Sequence, residues 1–338
     1  MKKIKVGNNF IGDDFPTFLI GEIGINHGGS EKYCLKLVNE AIKSKVNAIK
    51  LQTINAEESY VKNTKSFNEF KNKSLDIKFI KKLITICKKK NIILFSTPGD
   101  LSSLNLLESI NMEMYKISSG LANNFPLIEA VAKLKKPVII STGMLYQKEI
   151  KEIITIFKKY KNDKICLLKC TSIYPSPDDK VNLNAISTFK KIFPYPIGYS
   201  DHTLDDTAVL SAVSIGANII EKHITLDKKQ KNADHFLSLE PSELKNMVIK
   251  IRRVEKLKGT SKIIPTNDEI KLRSQRHRCL VASRNIQRNS KLDNDDISFK
   301  RPFKNKIGIP TKYFRKVIGK RVKKNLKTDD PINWDILI

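Results

Sequence analysis

Two short apolar segments of this 338-residue chain each end in a histidine that closely follows a carboxylate. Residues 198–203 read GYSDHT and residues 219–223 read IIEKH, so His202 and His223 stand where apolar strands are expected to end. Two imidazoles with carboxylates suit a divalent metal such as Mn²⁺, with substrate and water completing the coordination. The carboxylates expected nearby are Glu22, Glu221 and Asp234. The alternative is that each histidine is a hydrogen-bonded residue of the core.

A second group of polar residues suits the binding of an anion. It contains two lysines and several hydroxyl residues near the ends of other apolar segments: Lys50, Thr97, Lys116, Ser118, Ser119, Ser141 and Ser200. Ammonium groups with hydroxyls and backbone N–H groups bind phosphate and carboxylate. The alternative is a structural role, in which the two lysines pair with Glu22 and Glu221. Together with a metal, the group predicts chemistry on a phosphorylated anion and a polarised carbonyl.

Eight apolar segments alternate with segments of helical period over residues 1–260. They are 17–24, 47–53, 92–98, 114–119, 137–143, 165–172, 195–201 and 218–225. Near-continuous apolar strands that alternate with helices are typical of a parallel sheet, and eight such units at this length predict a (β/α)8 barrel, an α/β fold. A doubly wound sheet is the main alternative, but no G-x-G-x-x-G sequence follows the first strand.

The barrel prediction explains where the polar residues fall. Catalytic groups of such barrels lie at the C-terminal ends of the strands and in the loops that follow. Residues two apart on a strand face the same way, so three pairs can point into the barrel mouth together. These pairs are Lys50 with Gln52, Lys116 with Ser118, and Glu221 with His223. Lys222, between the last two, is expected to point outward.

A small second domain is predicted after the barrel. The segment 261–276 carries Pro and polar residues without an apolar stripe, and we interpret it as a linker. Residues 277–338 contain short apolar runs, turns and one brief helical segment, which together predict a small α+β domain.

The net charge of +27 and the cysteine content limit the possible functions. The lysines are spread over the polar faces of many predicted helices, and we find no zinc-finger spacing or aromatic–basic alternation, so no nucleic-acid partner is expected. No apolar run approaches the ~18 residues of a membrane span, so no membrane partner is expected either. Five scattered cysteines argue against a disulfide framework and for a reducing, cytoplasmic location.

Ordered motifs along nearly the whole chain carry a family resemblance. The barrel part contains GEIGINHGG, IKLQT, FSTP, YKISSG, NNFPLI, VIISTGM, CTSIYPSP, IGYSDHT, IIEKHITLD and ADHFLSLEP, and the C-terminal part contains FKRP and VIGKRVKKNLK. Through these motifs the sequence resembles the sialic acid (nonulosonic acid) synthases. So many motifs in one order make the resemblance specific.

The resemblance implies an activity and an architecture. The family condenses phosphoenolpyruvate with an open-chain N-acylated amino sugar, here expected to be N-acetylmannosamine, and water, to give N-acetylneuraminate and phosphate. It implies a barrel followed by an antifreeze-like (SAF) domain, which covers the partner's active site in the family's homodimer. Mn²⁺ is the implied metal, with Mg²⁺ or Co²⁺ as alternatives.

The resemblance also implies roles for individual residues. The implied metal ligands are His202 and His223, and the implied catalytic carboxylates are Glu22, Glu221 and Asp234. Phosphoenolpyruvate would be bound by Lys50, Thr97, Lys116, Ser119, Ser141 and Ser200. The sugar would be bound by Gln52, Tyr174 and Arg301, of which Arg301 in FKRP would reach the N-acetyl group from the partner subunit.

The sequence departs from the family pattern at a few positions on the sugar side. Leu121 stands where an acidic residue is common, and Gly99 stands where an aromatic residue is usual. Asn232 and Ala233 replace a common Gly-Pro or Gly-Ala. A pocket that cannot pair a sugar hydroxyl discriminates against it, so these changes bear on which amino sugar is used.

Three alternatives to the N-acetylmannosamine assignment remain open. Within the family, the substrate would be a 2,4-diacetamido-2,4,6-trideoxyhexose, and the product legionaminic or pseudaminic acid. A related barrel of the octulosonate- or heptulosonate-phosphate synthase type would act on a phosphorylated sugar and would not need Arg301. A catalytically inactive barrel would use its basic surface for binding.

Overall fold

The computed structural model describes residues 2–301 and 307–338. The strands are β1 Ile4–Val6, β2 Asn9–Ile11, β3 Phe18–Gly24, β4 Ala48–Thr53, β5 Ile93–Pro98, β6 Tyr115–Ile117, β7 Val138–Ser141, β8 Ile165–Cys170, β9 Ile197–Asp201, β10 Ile219–His223, β11 Cys279–Ala282 and β12 Ile297–Lys300. The helices are α1 Glu31–Lys43, α2 Ala56–Ser59, α3 Lys65–Phe70, α4 Ile77–Lys88, α5 Leu101–Ser109, α6 Phe125–Lys133, α7 Gln147–Lys159, α8 Ala185–Ile192, α9 Thr207–Ser214, α10 Pro241–Lys258, α11 Asn267–Arg276 and α12 Phe314–Val317. The chain divides into two compact units, Met1–Gly259 and Thr260–Ile338.

The first unit is built around a closed barrel of eight parallel strands. Its order is β10-β3-β4-β5-β6-β7-β8-β9, and each strand overlaps one of the eight segments predicted from the sequence. The predicted (β/α)8 fold is therefore confirmed. The apolar strand residues pack with the inner faces of the surrounding helices into one continuous core. This burial supplies the main driving force for the fold.

The strand register brings distant polar residues side by side. Glu22 on β3 lies opposite His223 on β10 and opposite Lys50 on β4. Glu221 on β10 lies opposite Ser200 on β9. Because side chains alternate between the two faces of a strand, Glu221 and His223 face the same side, and their paired positions bring these polar side chains together inside the barrel.

A short N-terminal hairpin precedes the barrel and was not predicted from the sequence. Strands β1 and β2 pair antiparallel and bury Ile4, Val6 and Ile11 in the barrel core. The backbone N–H of Lys2 donates to the carbonyl oxygen of Pro194, just before β9. The hairpin therefore lies at the end of the barrel where strands begin, opposite the end expected to carry the active site.

The second unit has its own small core. Strands β11 and β12 pair antiparallel, and apolar residues of this unit form a cluster separate from the barrel core. The short strands, turns and brief helix α12 match the α+β pattern expected from the sequence. Across the described parts of both units, no helix is long and apolar enough to cross a membrane.

The second half of the segment interpreted as a linker, 261–276, forms helix α11, which was not predicted from the sequence. The helix begins with a capping box, in which the Glu269 N–H donates to the Thr266 hydroxyl oxygen and the Glu269 carboxylate accepts from the Thr266 N–H. None of its residues is buried, so it has no apolar stripe to reveal it. Capping and helix propensity form this helix, and T-x-x-E was the pattern that could have predicted it.

Candidate active site

Two lysines and two glutamates form a charged cluster inside the barrel. The Lys50 Nζ lies 3.0 Å from Glu22 Oε1 and 3.6 Å from Glu221 Oε1, and the Lys116 Nζ lies 2.9 Å from Glu221 Oε1. All four side chains are buried. The structural pairing left open by the sequence is therefore present. Glu22 Oε2 and Glu221 Oε2 are buried without a hydrogen-bond partner among the described residues, so the cluster still has unused acceptors.

Burial and ion pairing shift the pKa values of the four residues in different directions. Burial raises the pKa of Glu22, an effect that Lys50 opposes and Glu221 reinforces. Burial alone would raise the pKa of Glu221 too, but Lys116 and Lys50 lower it below its usual range. Burial lowers the pKa of Lys116, whereas the two glutamates hold that of Lys50 above its ordinary value. Of the two glutamates, Glu22 is therefore the one better suited to carry and release a proton.

Hydroxyl and amide groups surround the cluster. Gln52 Nε2 donates to Glu22 Oε1 over 3.0 Å, and the Ser200 hydroxyl donates to Glu221 Oε1 over 3.2 Å. The Lys50 ammonium lies 3.4 Å from the Thr97 hydroxyl oxygen. Ser141 Oγ is buried without a partner in the described part of the chain. Except for Gln52, these residues are those expected to bind phosphoenolpyruvate, and the barrel brings them together.

Ser119 lies at the neighbouring strand end. It follows β6, and its hydroxyl oxygen accepts a hydrogen bond from the backbone N–H of Gly143, after β7, over 3.0 Å. A Cβ placed on Gly143 would come within 2.7 Å of the Ser119 oxygen, so a larger residue here would displace the Ser119 hydroxyl. The contact joins two loops that were both expected to bind the anion.

The two histidines meet at the mouth of the barrel. Their ring centroids are 5.5 Å apart, and Tyr174 lies over His202 with a centroid distance of 4.1 Å. His202 Nδ1 lies 2.8 Å from the carbonyl oxygen of Thr171, to which it must donate, so in the neutral ring Nε2 carries the lone pair. Burial opposes protonation, but the contacts with Cys170 and Thr171 raise the pKa of His202, so a metal at Nε2 would take the place of a proton. Burial, reinforced by the charge on His202, lowers the pKa of His223 well below its usual range. A neutral imidazole is the form that binds a metal.

The residues present fit a metal with two protein ligands. His223 Nδ1 is buried without a hydrogen-bond partner among the described residues and lies 3.7 Å from the Asp234 carboxylate. A buried imidazole nitrogen without a partner is costly unless something binds to it. The described part of the chain holds no group of three or more His, Cys, Asp or Glu side chains arranged as metal ligands. A metal here would therefore take its remaining ligands from substrate and water, as expected from the sequence.

A cavity of about 800 Å³ lies next to the histidines. Its lining includes Tyr174 and Asp234, two of the residues expected on the sugar side, and the apolar side chains of Ile25, Phe70 and Phe236. Burial raises the pKa of Tyr174 far above its ordinary value, so its hydroxyl stays protonated and can donate a hydrogen bond. The lining also contains Lys65, Glu69 and Lys73, so this mixture of charged, polar and apolar groups suits a small polar ligand that carries acyl or methyl substituents.

Cys170 is a residue of this site that sequence analysis missed, because nothing in its own segment of sequence distinguishes it from the other cysteines. It ends β8, and its Sγ lies 3.9 Å from His202 Nδ1. Burial alone would raise the pKa of this thiol, but the hydrogen bond with His202 and the charge of that residue bring it to about 7. Burial raises the pKa of the thiols of Cys34 and Cys87 to about 12.

Iodoacetamide is expected to modify Cys170 before the other cysteines of the barrel. The thiolate is the reactive form, so the labelling rate should rise through about pH 7 and level off above it. Peptide mass spectrometry after short labelling would identify the modified thiol, and Cys170→Ser should leave the folded barrel unlabelled. Equal labelling of Cys34 in the folded protein would contradict the expectation.

Lys222 points out of the barrel, as predicted, yet it is fully buried. Its ammonium group lies 2.5 Å from Asp201 Oδ2 and also donates to the carbonyl oxygen of Thr203. The same carboxylate accepts from the Tyr199 hydroxyl and from the Thr203 N–H. Asp201 and Lys222 each immediately precede one of the histidines, so their ion pair joins the two strand ends that carry the imidazoles.

The departures from the family pattern have structural counterparts. Leu121 packs, half-buried, against the barrel core. A Cβ on Gly99 would lie 2.6 Å from a side-chain carbon of Ile54, so Ile54 occupies the space that an aromatic residue at this position would need. Arg301 is exposed and lies in the second unit, just after β12, and its role in sugar binding stays a prediction.

Comparisons with known proteins agree with this arrangement. The NeuB family model matches residues 37–263, and the SAF domain model matches residues 277–338. An uncharacterised protein of Methanocaldococcus jannaschii is 42% identical over 100% of this chain and 99% of its own length. The N,N'-diacetyllegionaminic acid synthase of Campylobacter jejuni is 36% identical over 94% of this chain and 98% of its own.

A solved structure shares the barrel. The N-acetylneuraminic acid (sialic acid) synthetase of Leptospira borgpetersenii superposes with a TM-score of 0.77 at 40% identity, over 80% of this chain and 96% of its own. The two family models together cover most of the chain, and the relatives match it along its length. Both findings place the chain in the family that the barrel and its strand-end residues also indicate. The chain belongs to the NeuB family of sialic acid and related nonulosonic acid synthases and carries a C-terminal SAF domain.

Proposed function

We propose that this protein is a nonulosonate synthase that condenses phosphoenolpyruvate with the open-chain aldehyde of an N-acylated amino sugar and water, with release of phosphate. The single observation that carries the proposal is the buried cluster of Lys50, Lys116, Glu22 and Glu221 directly beside the paired histidines. A barrel interior keeps such charges at a cost, and that cost is explained when they bind a charged substrate.

The residues of the cluster divide the work of this reaction. Lys50 and Lys116 bind the phosphate and carboxylate of phosphoenolpyruvate, helped by the hydroxyls of Thr97, Ser141 and Ser200. We assign the anionic groups of phosphoenolpyruvate to Lys50 and Lys116 because of their charge. In the described part of the barrel, no other buried ammonium group faces the mouth. Both lysines stabilise the negative charge that leaves with the phosphate.

The proton transfers belong to the carboxylates. When C3 of phosphoenolpyruvate attacks the aldehyde carbon, positive charge develops at C2, and a water molecule adds there. Glu22, Glu221 and Asp234 are the groups that can hold this water, and Glu22 and Asp234, whose pKa values burial raises, are the two suited to take its proton. The aldehyde oxygen takes up a proton and becomes a hydroxyl. The tetrahedral adduct at C2 then loses phosphate as its C–O bond breaks, and its own hydroxyl loses a proton to leave the keto group.

A divalent metal, Mn²⁺ in our proposal, would be held by His202 and His223. When bound, it would supply Lewis-acid polarisation of the aldehyde oxygen. The Nε2 lone pair of His202 and the partnerless Nδ1 of His223 support this assignment. Tyr174 packs against His202 with its ring tilted by 31°, and it also lines the cavity in which the sugar would lie.

The identity of the amino sugar is the more specific part of the proposal. N-acetylmannosamine is the first candidate, which would make the product N-acetylneuraminate. Two observations favour a second candidate, a 2,4-diacetamido-2,4,6-trideoxyhexose. Leu121 offers no carboxylate to a sugar hydroxyl, and Ile25, Phe70 and Phe236 in the cavity lining offer apolar surface to the C6 methyl group that the trideoxyhexose has and N-acetylmannosamine lacks.

The assay that tests the proposal uses the purified full chain with phosphoenolpyruvate, Mn²⁺ and each candidate sugar in turn. Released phosphate and the mass of the nine-carbon product are the readouts, and omission of the sugar is the control. Turnover with N-acetylmannosamine supports the first candidate, and turnover with the trideoxy sugars alone supports the second. Release of phosphate at the same rate without any sugar would contradict a synthase.

A further inference from the structure

The cavity beside the histidines has two walls that come from distant parts of the chain. One wall is the segment 65–73, which contains α3, and the other is the loop 232–236, which carries Asp234. The segment 65–73 also lies close to the loop after β3, where a Cβ on Gly29 would be 2.7 Å from the Asn72 carbonyl oxygen. This segment is therefore packed closely against the barrel mouth.

The loop that carries Asp234 has an unfavourable backbone. Asn232 has φ 90° and Ala233 has φ 50°, so two consecutive residues with a Cβ adopt the left-handed region. Residues other than glycine rarely take this conformation, because the Cβ comes too close to the backbone. Something outside the loop must therefore stabilise it.

Two side chains hold this loop through its backbone N–H groups. The Asp234 N–H donates to Asn26 Oδ1 over 3.1 Å, and the Ala233 N–H donates to Glu69 Oε1 over 2.9 Å. Asn26 is itself fixed, since its amide nitrogen donates to the Ile224 carbonyl oxygen and to the Ser238 hydroxyl. Glu69 comes from the opposite wall of the cavity and is paired with Lys73, 3.5 Å away.

We infer that Glu69 is a positioning residue, which ties segment 65–73 to the strained turn at 232–233 and thereby directs Asp234 towards His223. The Asp234 carboxylate lies 3.7 Å from His223 Nδ1, so a rotation of this turn would carry it away from the histidines. Glu69 acts as a hydrogen-bond acceptor for the backbone. The effect of Glu69 on turnover rests on the proposed function, whereas the hydrogen bond that ties Glu69 to the turn does not.

A different role for Glu69 makes a different prediction. Glu69 lines the cavity, so its charge could instead pair directly with a sugar hydroxyl, in place of the carboxylate missing at Leu121. Glutamine can accept the Ala233 N–H as glutamate does, but it carries no charge. Glu69→Gln therefore separates the two roles, whereas Glu69→Ala removes both.

The first measurement is hydrogen exchange of peptides that cover 231–236 in the full-length protein. In Glu69→Ala, exchange at this loop should be about 10-fold faster, because a hydrogen bond to a charged acceptor is lost, and Glu69→Gln should restore most of the protection. Glu57→Ala is the matched control, since Glu57 is an exposed glutamate of α2 that pairs only with Lys62 among the described residues. Unchanged exchange in Glu69→Ala would overturn the inference.

The second measurement is steady-state kinetics with the sugar that the wild-type protein uses. Glu69→Ala should lower kcat about 10-fold with an unchanged KM for phosphoenolpyruvate, because the anion site is not touched, and Glu69→Gln should recover most of kcat. If Glu69→Gln loses as much as Glu69→Ala, the charge acts on the substrate and the positioning role is wrong. The two hypotheses can also fail separately. If Glu69→Ala changes the exchange but the wild-type protein turns over none of the candidate sugars, the contact of Glu69 with the turn is supported and the proposed function is rejected.

Discussion

Replacing His202 by alanine is expected to abolish turnover and to lower the affinity for Mn²⁺ by more than about 100-fold, because even the residues behind a metal ligand are worth 10–100-fold in affinity. The Nε2 lone pair of His202 and the neutral His223 are the donors that the site offers. The concentration of free Mn²⁺, followed by electron paramagnetic resonance during titration, gives the affinity without reference to activity.

The control for this prediction is His277→Ala. His277 is an exposed histidine of the second unit, so its loss should change neither Mn²⁺ affinity nor turnover. Far-UV circular dichroism should show both variants folded, since truncation of a side chain at the barrel mouth leaves the apolar core intact. A His202→Ala protein that binds Mn²⁺ as tightly as the wild type would remove His202 from the metal site.

The barrel could be predicted from the sequence because its units repeat. Each strand is a short, near-continuous apolar run, and each is followed by a helical stripe, so an error in one unit does not change the count. The site could be located by the same logic, since Lys50, Lys116, Glu221 and His223 all fall at or near the C-terminal ends of strands. Their position on the strand, more than their residue type, allowed these residues to be predicted from the sequence.

The contacts between elements could not be predicted in the same way. Glu69 binds a backbone N–H of a residue 164 positions further along the chain, and the Cys170 thiol owes its lowered pKa to His202, which directly follows the next strand. Such contacts depend on the packing of loops and on barrel register, which no local pattern specifies. Helix α11 was missed for the opposite reason, because it is purely local and buries nothing.

Lys222 shows that the alternation of side chains along a strand does not by itself predict whether a residue is buried. Period-2 geometry correctly placed Lys222 outside the barrel, and an outward lysine would ordinarily be taken as solvated. Here the helices cover the strand, so the ammonium is fully buried and needs Asp201. The sequence contains both residues, each directly before a histidine, but only the register of β9 and β10 shows that they meet.

Lys222→Met is therefore expected to destabilise the barrel by roughly 3–5 kcal/mol, the range found when one partner of a buried ion pair is removed. The Asp201 carboxylate would stay fully buried and would lose its cationic partner, which makes its charge costly. Urea unfolding followed by far-UV circular dichroism measures the loss. Lys190→Met is the control, since Lys190 pairs with the partly exposed Asp13 and should cost about 1 kcal/mol or less.

A double variant separates charge from packing. If the loss in Lys222→Met comes from an unpaired charge, Asp201→Asn added to it should recover much of the stability, because no buried charge then remains. An additive loss would mean that the hydrogen bonds of Asp201 to Thr203 and Tyr199 matter more than its charge. Since Asp201 and Lys222 precede the two histidines, Mn²⁺ affinity in the recovered double variant also tests whether the ion pair itself sets the separation of the imidazoles.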